Sequence, residues 1–158
     1  METTRQVSVF LENKPGRLAN VMSALAREKV NVIALTVMDS HESSVLRLVT
    51  GDLAKTVQVL RALSTPYTES DVLLVELRNQ PGALAHMCEQ LATEHINIDY
   101  CYISSGGRNG RVMGVFKVPS NEKAMRVLGG SNNSARKRLE RRPLRDQRSY
   151  QVRGCAAR

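Results

Sequence analysis

The chain has no Trp and only two Phe and four Tyr among 158 residues, so any core it builds must be aliphatic. It lacks an apolar run approaching the roughly 18 residues of a membrane-spanning helix. The opening Met1-Glu2-Thr3-Thr4-Arg5 leads into an alternating pattern and not into an apolar secretory segment. There are only three cysteines, Cys88, Cys101 and Cys155, an odd count with no Cys-x-x-Cys spacing. That argues against a disulfide framework and against a structural zinc site. These absences describe a soluble, cytoplasmic chain with no metal and no cofactor. Its length allows one ordinary domain or two small ones.

Acidic residues are scarce in one place. The formal net charge is +8, but residues 129–158 hold nine basic residues against Glu140 and Asp146 alone. Residues 1–128 carry 14 basic and 13 acidic side chains and are nearly neutral. The high isoelectric point therefore describes a tail, and a nucleic-acid role for the whole chain loses its main support.

What the sequence does contain is an internal repeat. Val9-Phe10-Leu11-Glu12-Asn13-Lys14-Pro15-Gly16-Arg17-Leu18-Ala19 matches Val75-Glu76-Leu77-Arg78-Asn79-Gln80-Pro81-Gly82-Ala83-Leu84-Ala85 at an offset of 66. The same offset carries Leu25-Ala26 onto Leu91-Ala92 and Val30-Asn31-Val32 onto Ile96-Asn97-Ile98. Two copies, each long enough to fold, indicate a duplicated domain and not a solenoid.

Each copy reads alike. Val7, Val9 and Leu11 alternate with polar or outward residues, a strand period, and residues 72–77 form a denser apolar run. Asn-x-Pro-Gly then ends the strand and opens a helix, with Asn as a good cap and Pro suited to the first turn. Leu18, Val21, Met22 and Leu25 follow at helical spacing, as do Leu84, Met87, Cys88 and Leu91. Cys88 shares its place with Met22 and reads as a buried apolar residue. Strands are expected over 30–38 and 96–104, then over 44–50 and 111–118. Second helices are expected over 52–63 and 121–128. A short extended stretch at 67–69 closes the first copy. Gly106-Gly107 and Asn109-Gly110 mark a hairpin turn and not a phosphate loop, since no Gly-Lys-Ser/Thr follows.

The expected architecture is α+β: two ferredoxin-like β-α-β-β-α-β units, antiparallel sheets with helices on one face, paired side by side through edge strands. The expected division is 1–70, 71–128, and a basic, flexible tail over 129–158. The second copy shows no fourth strand; its first-strand edge would be open unless residues 149–152 returned to cover it.

Asn-x-Pro-Gly-x-Leu between strand and helix, in register twice and backed by Asn31-Val32 and Asn97-Ile98, resembles the ACT domain family of ligand-sensing modules in amino-acid metabolism. The resemblance covers about residues 7–128. It implies a continuous eight-stranded sheet and an amino acid held where two such domains meet. The implied ligand set is Asn13, Pro15, Gly16, Arg17, Leu18, Asn31 and Val32 in the first copy. In the second it is Asn79, Pro81, Gly82, Ala83, Leu84, Asn97, Ile98 and Asp99. The chemistry agrees: a helix N-terminus suits an α-carboxylate, and glycine permits close backbone approach. Asn13 and Asn79 read either as helix caps or as acceptors for the α-ammonium. Asp99 stands where the first copy has Ile33, which suggests unequal sites. The implied partners are an amino acid, a metabolic enzyme and a second copy in a homodimer.

Catalysis is not expected. His41, His86 and His95 show no metal-ligand spacing, and no nucleophile–base set follows from the chain. The alternative function is an RNA-binding module, because RRM domains share this element order. Against it, the third strands lack the RRM aromatics, with only Phe116 to serve. The tail is expected to make at most weak, salt-sensitive contacts with nucleic acid.

Overall fold

A computed structural model describes residues 1–39, 43–105 and 110–130 of the chain. The first hairpin turn with His41, the glycine-rich residues 106–109, and the tail from 131 onward, including 149–152, lie outside the described residues. The elements run β1 (Glu2–Glu12), α1 (Arg17–Arg27), β2 (Val32–Asp39), β3 (Ser43–Thr50), α2 (Leu53–Ala62), β4 (Tyr67–Arg78), α3 (Ala83–Thr93), β5 (Tyr100–Ser105), β6 (Arg111–Lys117) and α4 (Asn121–Gly130). Among the described residues, no helix is long and apolar enough to cross a membrane.

The strands form one antiparallel sheet in the order β2-β3-β1-β4-β6-β5. The sheet has six strands where eight were expected, because β1 and β4 each serve both units. Residues 67–71 of β4 lie beside β1 as the fourth strand of the first unit. Residues 2–5 of β1 lie beside 71–74 of β4 and do the same for the second. The edge expected to be open is therefore covered from the start of the chain. The ladder pairs Arg5 with Asp71, and these two positions are also 66 apart. The pseudo-two-fold axis of the repeat thus passes between them. Arg5 marks it with ion pairs to Asp71 at 3.2 Å and to Glu69 at 3.0 Å.

On one face, α1 and α2 press Val21, Leu25, Val59 and Leu60 onto Val7, Val9, Leu46 and Leu48. In the second unit Met87, Leu91 and Ala124 cover Leu73, Val75 and Phe116. Each fully buried Leu here stabilises by roughly 2 kcal/mol over an exposed one. Leu46 and Leu48 occupy the places that Gly114 and Phe116 hold in the second unit. A Cβ on Gly114 would meet the Phe116 ring at 2.6 Å, so the glycine makes room for the larger residue.

The helix-free face is not a flat surface. The sheet coils until its edge strands β2 and β5 touch, with Ser104 Oγ donating to the Ile33 carbonyl at 3.2 Å. Ala34, Val49, Val72, Leu74 and Val115 are buried inside the curl. Both helices that follow a first strand end with a left-handed residue, Lys29 (φ 57°) and His95 (φ 53°). The next amides, of Val30 and Ile96, return to Leu25 and Leu91 at 3.0 and 2.8 Å, which closes the last carbonyls.

Candidate functional site

The two Asn-x-Pro-Gly turns match bond for bond. Lys14 N–H donates to Glu12 C=O (2.8 Å), Arg17 N–H to Lys14 C=O (3.3 Å), and Asn20 N–H to Gly16 C=O (2.9 Å). In the second unit Gln80 donates to Arg78 (2.9 Å), Ala83 to Gln80 (3.3 Å), and His86 to Gly82 (2.9 Å). Gly16 and Gly82 sit at the N-cap with φ of 85° and 86°, and no side chain caps either helix. The Asn capping reading is thereby corrected: Asn13 and Asn79 lie three residues before the cap. Pro15 and Pro81 lie just outside the helix, not in its first turn. An added Cβ at Gly16 or Gly82 would find no atom within 4 Å. Backbone conformation, not close approach within the chain, is what requires glycine here.

Each turn stands beside a cavity. In the first unit it measures about 190 Å³, between the end of β1, α1 and the loop at Leu63, Ser64, Thr65 and Pro66. Arg17 and Lys14 hold the Glu12 carboxylate at 2.7 and 3.1 Å. Arg17 first, then Lys14, keeps that carboxyl below the usual range. In the second unit the cavity measures about 330 Å³ and lies among Val75, Glu76, Leu77, Ala83, Met87 and Leu128. Arg111 and Glu76 pair at its rim at 2.8 Å.

The other expected ligand residues are elsewhere. Within the first unit, β1 ends at Glu12 opposite Ser43, whereas Val32 stands opposite Thr50 at the far end of the same hairpin. Asn31 accepts from Gly51 N–H at 2.9 Å. In the second unit the strand begins at Tyr100 and not at 96. Asn97 Nδ2 donates to Asp99 Oδ1 at 3.0 Å, and Asp99 N–H donates to Lys117 C=O at 2.9 Å. Asn13, Pro15, Gly16, Arg17 and Leu18 are exposed together, as are Asn79, Pro81 and Gly82, while Ala83 and Leu84 are half-buried.

A polar cluster inside the curl escaped the sequence reading. Gln6 is completely buried; its Nε2 donates to Tyr100 Oη at 2.7 Å and its Oε1 accepts from Tyr102 Oη at 3.1 Å. Arg47 stacks over the Tyr100 ring at 3.8 Å. Burial is the main cause that pushes the Tyr102 phenol up. Alternation alone places Gln6 on the solvent side of β1, so no local signal marks it. Cys88, expected to be buried, is half-buried, and it forms no disulfide among the described residues. Burial, then Cys88, raises the Cys101 thiol, the opposite of what a nucleophile needs. Among the described residues, no group of three or more His, Cys, Asp or Glu could hold a metal ion.

The family model for an ACT domain pair matches residues 2–135. The crystal structure of protein BT0572 from Bacteroides thetaiotaomicron is 31% identical, covering 82% of this chain and 88% of that one, with a TM-score of 0.76. The fold is shared with the ligand-free regulatory subunit of aspartate kinase from Thermus thermophilus, at 15% identity, TM-score 0.62, and coverage of 84% and 98%. The corresponding subunit from Thermus flavus gives 18% identity, TM-score 0.58, and coverage of 82% and 95%. Comparison with curated proteins gives no match.

Proposed function

The chain belongs to the family of ACT domain pairs, and from that premise we propose that it is a non-catalytic regulatory module that binds an amino acid. Its occupancy would be read by an enzyme of amino-acid metabolism in the cytoplasm. The observation that carries this reading is the repeated turn. Two helices begin at a left-handed glycine with no side-chain cap, each beside a cavity. Uncapped first-turn N–H groups and the positive end of the helix suit an α-carboxylate. The proposed ligand residues are those of the turns, Asn13 to Leu18 and Asn79 to Leu84. Asn31, Val32, Asn97, Ile98 and Asp99 lie away from the turn of their own unit, and a homodimer would be one way to bring them to a turn. Likeness to regulatory subunits of aspartate kinase supports an enzyme as the partner.

The RNA-binding alternative is disfavoured by one observation. The helix-free face on which an RRM lays its bases is folded inward here and buries Val49, Val72, Leu74 and Val115.

A thermal-shift screen of the proteinogenic amino acids tests the proposal. Binding to the native state adds about 2.7 kcal/mol at a hundredfold excess over Kd, which raises the melting temperature by several degrees. No shift with any amino acid at millimolar concentration sinks it.

A further inference from the structure

The two units are related by the repeat but their cavities are not equal, and the differences select one of them. We propose that the second-unit cavity alone takes the ligand, as one zwitterionic amino acid with an apolar side chain per chain. This rests on the amino-acid-binding reading above and narrows it to a place and a ligand class.

Size separates the cavities first. Small-molecule pockets usually begin near about 300 Å³. The second cavity, at about 330 Å³, reaches that; the first, at about 190 Å³, does not. The lining separates them next. The equivalents of Arg17 and Val21 are Ala83 and Met87, so a charge is lost and a flexible thioether gained. Where the first cavity is closed by Leu63, Ser64, Thr65 and Pro66, the second is closed by Leu128 and Met1. His86 and Gln90, the polar residues of the wall, are bonded to each other at 3.0 Å. Val75, Leu77, Ala83, Met87 and Leu128 supply the rest of the lining, and a charged ligand side chain packed on them would carry a high desolvation cost.

The rim then supplies what a zwitterion needs. By sheet register, Glu76 and Arg111 stand where the first unit has Phe10 and Ser43. The first cavity has a pair of its own, Glu12 with Arg17, but there Lys14 holds the same carboxylate oxygen at 3.1 Å, whereas Glu76 bonds to Arg111. Their 2.8 Å bond joins Arg111 Nη1 to Glu76 Oε2. A guanidinium has five donors and a carboxylate two oxygens, so Arg111 can also take an α-carboxylate and Glu76 an α-ammonium without parting. The strand edge adds main-chain groups. The β1–β4 ladder stops at Glu2 opposite Leu74, so β4 outruns β1 from Val75 onward beside the cavity. In the first unit the matching Phe10 N–H already donates to Pro66 C=O at 2.9 Å.

The test is isothermal titration calorimetry on the full chain with L-leucine, L-methionine, L-lysine and L-aspartate. The expected result is one site per chain for leucine or methionine and weaker binding of the charged pair. Glu76→Gln and Arg111→Gln should each weaken binding by roughly tenfold or more, the effect of losing a bond to a charged group. Both residues are solvent-exposed at the rim, so the variants should melt like wild type. Glu12→Gln should leave Kd within twofold. If the chain binds an amino acid but the rim variants bind it equally well, the inference fails while the wider reading stands. Two equal sites, loss of binding through Glu12, or a preference for lysine or aspartate would have the same consequence. If the only amino acids that shift the wild-type melting curve have polar or charged side chains, the inference again fails alone. If no amino acid shifts it, both fail.

Discussion

Gln6 lies out of phase with Val7 and Val9 on β1, and the coiling of the sheet turns that solvent position into an interior one. A carboxamide suits the place because it donates to one phenol and accepts from another, which an aliphatic residue could not do. The consequence shows in Tyr102. Its phenol is pushed above the ordinary value of about 10 by burial, so the folded state holds the proton that the unfolded chain releases. The contribution is fully present below about pH 10 and is lost as pH rises beyond it. Tyr102→Phe should cost about 1 kcal/mol at pH 8, through the lost hydrogen bond to Gln6. It should also lose less stability than wild type between pH 10 and 11. Urea midpoints across that range check this; an equal alkaline decline in both proteins would refute it.

The helices and strands were legible because the signals that set them are local: apolar periodicity, and glycine and proline between periodic runs. What was not legible is how the elements end. Asn13 and Asn79 are good cap types at the wrong distance, and the left-handed glycines take the cap position. β5 starts at Tyr100 because Ile96 closes the preceding helix and Asn97 and Asp99 bond to each other. α4 runs through Gly129 and Gly130, two residues beyond the apolar spacing. Gly82→Ala isolates the backbone effect, since an added Cβ meets nothing within 4 Å. It should cost about 1–2 kcal/mol, the penalty of a left-handed residue with a side chain. Chemical denaturation measures it, and a neutral substitution would show that φ is not the constraint.

The duplication of the chain is visible in its sequence, but the sharing of β1 and β4 is not. It depends on a ladder register, Arg5 opposite Asp71, that only the folded chain fixes. The cavities escape for a related reason. Glu76, Arg111, Leu128 and Met1 come from four distant stretches, whereas the turns are contiguous. Because each unit's fourth strand is part of the other's first, neither can close its sheet alone. Calorimetry on the full chain should show one cooperative unfolding transition, and two resolved transitions would contradict that coupling. The ligand site itself is tested most directly by a ¹H–¹⁵N NMR titration of the full chain with L-leucine. Amides of β4 from Val75 to Leu77, the first turns of α3, Arg111 and Leu128 should shift together and saturate at one equivalent site. An unchanged spectrum at millimolar L-leucine, or shifts gathered at Gly16 and Arg17 instead, would contradict it.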